Sequence, residues 1–233
     1  MLNRLLFAAL LSIVACGNGG DGKPEPEPVY FDSDVEWLGD SHTALMWFSG
    51  TVSEFFDPNR VRHYAIPRTT MRAWSPLFGP TALYFTERVG ETTTENCFIL
   101  LGSNDSTRFG SSPELYRDSM EELVYRWIED GCHRAWVMSA PKLGEIFDDV
   151  RHQRMHDFHR EWREFCSSLV AREAGVRCGP DLYKMIDPAI HLSDFVHMNA
   201  EGNRIVSDEI IRLLKIKRGT ERQNAMTTGR STR

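Results

Sequence analysis

The sequence predicts an α/β fold, a single three-layer α/β/α domain over residues 31–217 built on a parallel sheet. Three observations predict it. Short apolar runs closed by turn residues alternate with longer segments whose apolar residues recur every three or four positions, the order expected of strand–helix units. Residues 97–101 (CFILL) are apolar without alternation, as in a strand buried on both faces. The chain has 233 residues, 41% hydrophobic and 26% charged, enough for one sizeable core once two non-globular ends are set aside.

The elements follow in order. Residues 35–38 form a short apolar strand ending in Gly39-Asp40-Ser41-His42, and residues 43–56 carry apolar side chains at helical spacing. A weaker strand at 61–66 is stopped by Pro67, and the CFILL strand is bounded by Gly102. Ser112 as N-cap with Pro113 behind it opens a helix that runs through Glu121 and Trp127 to Gly131. Residues 135–138 (AWVM) are the next strand, ended by Pro141. Residues 148–174 read as one long helix, with Met155, Phe158, Trp162, Phe165 and Leu169 on its inner stripe and Gly175 closing it. The same helix carries His152, His156 and His159 on one stripe, read as a solvated face, not a metal site, because no carboxylate motif completes the set. A last amphipathic helix spans 201–217, facing Ile205, Ile210, Leu213 and Leu214 inward.

The ends read differently. Residues 1–16 combine Arg4, an apolar stretch from Leu5 to Ala15, and Cys16, the pattern of a secretory signal. The junction Ile13-Val14-Ala15-Cys16 resembles a bacterial lipobox, which implies cleavage before Cys16 and a lipid on its thiol. Residues 17–30 mix glycines with a Pro-Glu alternation, a flexible linker holding a domain off a membrane, and residues 218–233 read as a disordered tail. The expected location is the bacterial cell envelope, lipid-anchored through Cys16 in the outer membrane and periplasm or at the cell surface; Gly17 at the next position points to the outer membrane.

Export gives the remaining cysteines, Cys97, Cys132, Cys166 and Cys178, an oxidising setting, and their even number suggests two disulfides. Three pairings are possible. Cys97 with Cys132 and Cys166 with Cys178 is favoured because both close short loops, and a zinc site is the weaker alternative without a CxxC pair. The 27 Lys and Arg against 33 Asp and Glu leave a formal charge of -6, which argues against a nucleic-acid partner. No apolar run reaches the ~20 residues a spanning helix needs.

The chemistry concentrates at three places. Ser41 lies at a sharp strand-to-helix turn, where a serine hydroxyl is presented at the sheet edge. Asp194 stands three residues ahead of His197, a spacing that lets the carboxylate orient the imidazole while the other ring nitrogen takes a proton from Ser41. Gly102-Ser103-Asn104-Asp105 follows the CFILL strand and brings the Asn104 amide to the same edge, as a donor for a developing oxyanion. Asn104-Asp105, Asp194 and Asn199 can also serve as helix caps, a role compatible with catalysis.

Gly39-Asp40-Ser41, Gly102-Ser103-Asn104-Asp105 and Asp194-Phe195-Val196-His197, in this order, resemble the first, third and fifth blocks of the SGNH hydrolases, the GDSL esterase and lipase family. The resemblance implies a flavodoxin-like fold and acyl-ester chemistry with no metal and no cofactor. It makes Ser41 the nucleophile, His197 the base, Asp194 its partner and Asn104 an oxyanion donor. The family's second block departs from the pattern: Ala65-Ile66-Pro67-Arg68 puts Arg68 where a glycine N–H usually completes the oxyanion hole. Two uses of the Arg68 side chain stay open, reading an anionic group on the substrate or pairing with a nearby carboxylate. His42 can either contact substrate or be a residue of the cap region.

The expected protein is therefore an exported, lipid-anchored serine esterase that removes acyl groups from a carbohydrate or small ester through an acyl-enzyme. Its oxyanion hole would comprise the Ser41 and Arg68 N–H groups and the Asn104 amide. One alternative is an O-acyltransferase, such as an O-acetyltransferase, acting on an envelope polysaccharide. The other is a non-catalytic binding module.

Overall fold

The computed structural model describes residues 34–52, 56–75, 94–107, 111–169 and 174–228, with side chains described as far as Leu214. The expected signal peptide with Cys16, the linker 17–30 and residues 229–233 lie outside the described residues. Five strands, β1 (Val35–Gly39), β2 (Val61–Ala65), β3 (Asn96–Leu100), β4 (Ala135–Met138) and β5 (Val176–Cys178), form one sheet in the order β2-β1-β3-β4-β5. Every pairing is parallel. This is the flavodoxin-like order, in which the chain reverses direction between β1 and β3 and leaves a crevice at the C-terminal edge. In register, Gly39 faces Ala65 on one side and Leu100 on the other, so the segments after β1, β2 and β3 emerge side by side.

Strand residues alternate between two apolar layers. Leu38, Ile99 and Val137 pack against α4 (Pro113–Glu129) and α5 (Asp149–Ser168), which contribute Met120, Leu123, Trp127, Phe158, Trp162 and Phe165. On the opposite face Trp37, Phe98 and Trp136 meet Met46 of α1 (Ser41–Phe48) and Val206, Ile210 and Leu214 of α8 (Ala200–Thr228). Each such side chain, fully buried, contributes roughly 1.5–3 kcal/mol. Short helices α2 (Met71–Trp74), α3 (Ser103–Thr107), α6 (Leu182–Met185) and α7 (Pro188–His191) complete the fold around the sheet edge. Disulfides join Cys97 to Cys132 and Cys166 to Cys178, the pairing favoured from loop length, and exclude the zinc alternative for these thiols. Closing loops of 35 and 12 residues, the two bridges contribute about 3–4 kcal/mol each in the chain-entropy account.

The structure corrects four expectations. The first helix, predicted to reach Phe56, stops at Phe48, where Ser49 caps it and Gly50 follows at φ 76. The long helix predicted over 148–174 runs from Asp149 to Ser168, and β5 follows at Val176, a three-residue strand too short to stand out by periodicity. The last helix, predicted over 201–217, spans Ala200 to Thr228, through residues that include strong helix formers and no proline. His159, expected on a solvated face, is buried: its Nε2 lies 2.9 Å from Asp181 Oδ1, and its ring stacks on Tyr183 with centroids 4.2 Å apart.

Candidate active site

Ser41 is the first residue of α1, directly after the N-cap Asp40. The tight entry depends on Gly39, since a Cβ there would lie 1.9 Å from Thr43 Oγ1 and 2.6 Å from the Leu100 carbonyl oxygen. The Asp40 carboxylate is buried and divides its oxygens: Oδ1 accepts from the His42 N–H at 2.9 Å, and Oδ2 accepts from Asn104 Nδ2 at 3.0 Å. One cap therefore ties the nucleophile turn to the loop after β3. The second Nδ2 proton of Asn104 stays available for an oxyanion. Burial pushes the Asp40 carboxyl up to about 6, against the pull of the His42 N–H and the Asn104 amide.

The segment before α8 supplies the rest. His197 Nε2 lies 2.9 Å from Ser41 Oγ, and Asp194 Oδ2 lies 2.7 Å from His197 Nδ1. Asp194 Oδ1 also accepts from the backbone N–H groups of Val196 at 3.2 Å and His197 at 2.7 Å. Burial raises the Asp194 pKa, but these donors outweigh it and the net value is lowered, so the carboxylate is ionised when it holds the ring. An antiparallel bridge between Leu192 and Met198, with Ser193 N–H donating to the His197 carbonyl at 2.8 Å, closes the segment into a loop. The three expected residues Ser41, His197 and Asp194 thus form one continuous chain of contacts, with Asn104 held beside Asp40.

Arg68 occupies the third position of a turn closed by the Thr69 N–H donating to the Ile66 carbonyl at 3.3 Å. Its φ is 69, the left-handed backbone that glycine would adopt freely, with Pro67 before it as in a type II turn. Arg68 thus holds the backbone conformation of the glycine that the resemblance places at this position. Its side chain is exposed and forms no ion pair among the described residues, which leaves the carboxylate-pairing alternative without a partner there. Ile66 N–H donates to the Gly39 carbonyl at 3.1 Å and keeps this turn beside the Ser41 turn.

The His42 side chain is buried. It is 1% exposed, with its ring centroid 5.3 Å from that of His197 and neither ring nitrogen meeting a hydrogen-bond partner. Burial, reinforced by the neighbouring His197, pushes its pKa down to about 3, so the ring is neutral. The cap-region alternative is the one the structure supports, through its backbone N–H.

Asp40 carries no predicted role in the sequence and Asp105 only that of a possible helix cap, whereas the Asp105 side chain is buried and accepts the Met71 N–H at 2.9 and 3.1 Å. Burial pushes its pKa up to about 7. Arg154 completes this support by donating to the Ser106 carbonyl at 2.9 Å and the Ser111 carbonyl at 3.1 Å. An acidic residue directly before a helix start was the available signal for Asp40. Asp105 and Arg154 act across 34 to 49 positions of sequence, where no local signal exists.

No family model matches this chain, and no curated protein matches it. Solved structures do. A catalytic mutant of an acetylxylan esterase from Geobacillus stearothermophilus superposes with a TM-score of 0.57 at 14% identity, over 79% of this chain and 95% of that one. A carbohydrate acetylesterase from Sinorhizobium meliloti gives 0.57 at 14% identity, over 78% and 98%. An alpha/beta hydrolase enzyme from the metagenome of Lake Arreo, Spain, gives 0.54 at 16% identity, over 80% and 97%. At such identities the likeness is one of fold, and it makes this chain a three-layer α/β/α domain built as those proteins are.

Proposed function

We propose that the chain is a serine esterase acting on an acylated carbohydrate or small ester. The observation that carries this reading is the continuous Ser41–His197–Asp194 chain, with contacts of 2.9 and 2.7 Å, at the edge of a sheet shared with carbohydrate esterases. Ser41 Oγ attacks the ester carbonyl while His197 Nε2 takes its proton. The negative charge on the carbonyl oxygen is held by the Asn104 amide and the Ser41 and Arg68 N–H groups. Collapse expels the alcohol, which leaves with the proton from His197. Water, activated by the same imidazole, then releases the acid and restores Ser41.

A fluorophosphonate probe followed by peptide mapping tests the reading, because only an activated serine is phosphonylated. The expected result is modification of the peptide containing Ser41 together with hydrolysis of short-chain esters. A folded protein that neither takes the label nor cleaves any ester overturns it. We also propose that Cys16 carries a lipid that holds the domain at the bacterial envelope, since a small residue precedes it at the end of an apolar stretch. In that case Cys16→Ser moves the protein from the membrane to the soluble fraction, and retention in the membrane refutes the anchor.

A further inference from the structure

Two described non-glycine residues have positive φ, Arg68 at 69 and Phe195 at 66, and both stand in the segments that flank Ser41. A left-handed backbone costs a bulky L-residue of order 1–3 kcal/mol relative to what glycine would need. Strain of this kind persists where the surroundings over-determine it, and at Phe195 they do. Its carbonyl accepts from the Gly144 N–H at 2.7 Å, and its side chain lies across Gly144 so closely that a Cβ on that glycine would come within 2.9 Å of Phe195 Cβ, Cα and Cδ1. The side chain is still 48% exposed, although it belongs to a large apolar residue between the two members of the Asp194–His197 pair. Its Cδ1 edge lies against Gly144, and the residue stands two positions before the base that would protonate a leaving alcohol.

The sheet order fixes where the two residues stand. Arg68 follows β2, Ser41 follows β1, Asn104 follows β3, and Phe195 is clamped to the segment that follows β4. The two residues therefore belong to segments on opposite sides of Ser41, after strands that lie three spacings apart, roughly 14 Å at ~4.8 Å each. An aromatic ring supports the C–H face of a pyranose, and an unpaired guanidinium offers a planar fork to a carboxylate.

From this arrangement we infer that Phe195 and Arg68 determine specificity, and that the substrate is an acylated sugar carrying an anionic group such as a uronic acid. Phe195 supports the ring of the alcohol portion and Arg68 pairs with its carboxylate, one on each side of the scissile ester. The inference rests on the esterase reading and goes beyond it by naming the substrate class.

The test compares a monoacetylated methyl glucuronide with the matching monoacetylated methyl glucoside, which differs in lacking the carboxylate, and with a small aryl acetate. For the parent, kcat/KM is expected to favour the glucuronide over the glucoside by roughly tenfold or more. Arg68→Gly, which keeps the turn, should collapse that ratio towards one. Phe195→Asn, a residue that tolerates the same backbone, should lower kcat/KM for both sugar esters relative to the aryl acetate by about tenfold, mainly through KM. Phe195→Gly serves as the second variant, and thermal unfolding confirms that each protein is folded. If the parent shows no preference for the glucuronide, or if the variants slow all three esters in parallel, the inference fails while the esterase reading stands. If the parent cleaves none of the three and takes no fluorophosphonate label, the esterase reading itself has failed.

Discussion

The two halves of the candidate site are built by different forces. The nucleophile half, the turns after β1 and β3, is made from the core: Asp40, His42, Ser103 and Asp105 are buried, and the Asp40 and Asp105 carboxylates bond across strands to the Asn104 amide and the Met71 N–H. The base half is a surface loop, in which the Asp194 side chain is 57% exposed and that of His197 26% exposed. Within the segment its bonds are short-range, from the backbone of Val196 and His197 to Asp194, and its long-range contacts include Gly144 with Phe195 and Ser41 with His197. A buried network is rigid and costly to damage, whereas an exposed loop can lose a contact to water at little cost in stability. Changes in the base half should therefore affect chemistry alone, and changes in the nucleophile half should affect chemistry and folding together.

Substitutions can break this contrast. His197→Ala should lower kcat on the order of 10⁴-fold or more, with an unfolding midpoint near that of the parent. Asn104→Ala should cost on the order of 10²–10³-fold as one oxyanion donor is removed. Asp194→Asn should cost less than the loss of a fully buried orienting carboxylate, on the order of 10²-fold, because water reaches the His197 ring. Asp40→Asn leaves one oxygen for two donors, the His42 N–H and the Asn104 amide. It should slow turnover by roughly tenfold through a misplaced Asn104 and, unlike Asp194→Asn, also lower the denaturant midpoint. Parallel measurement of kcat and urea unfolding checks the set. Equal stability losses for Asp194→Asn and Asp40→Asn would erase the distinction between the halves.

The same contrast governs what the sequence alone could reveal. β3 and β4 were legible because strands buried on both faces carry unbroken apolar runs, β1 because only Glu36 interrupts its run, and Ser41, Asn104 and His197 because each sits just past such a run or just before an amphipathic helix. The structure brings Ser41, His197 and Asp194 together, and their catalytic roles remain the proposal made above. β5 went unread just past the predicted helix: three residues give no period, and its identity comes from pairing with Ala135–Val137. The end of α1 was overrun because apolar spacing continues to Phe56, although Ser49-Gly50 carried the stop signal. Phe195 drew no notice in the sequence, since its φ and its seat on Gly144 exist only once a loop 51 positions away has folded against it. His42 was ambiguous because adjacency to the nucleophile says nothing about which way a side chain turns at the start of a helix.

The smallest effect tests the buried half most directly, through Asp105. Its carboxyl is buried, accepts the Met71 N–H, and has its pKa pushed from 3.8 up to about 7 by burial, with the nearby Asp40 charge adding to the shift. A raised folded-state pKa means that the native protein holds a proton which the unfolded chain has released. Stability from this group is therefore fully present below pH ~3.8 and is lost as pH rises through about 7. At ~1.4 kcal/mol per unit the shift corresponds to at most about 4 kcal/mol between acid and alkaline conditions. Asp105→Asn keeps an oxygen for the Met71 N–H, offers its amide to the Ser111 hydroxyl, and cannot ionise. It should raise unfolding stability at pH 8 by about 2–3 kcal/mol and change it little at pH 4, where the parent carboxyl is already protonated. Urea unfolding of parent and variant at the two pH values measures the difference. An equal shift at both would mean that the carboxyl is not held neutral by burial, and the picture of a core-built nucleophile half would lose its electrostatic support.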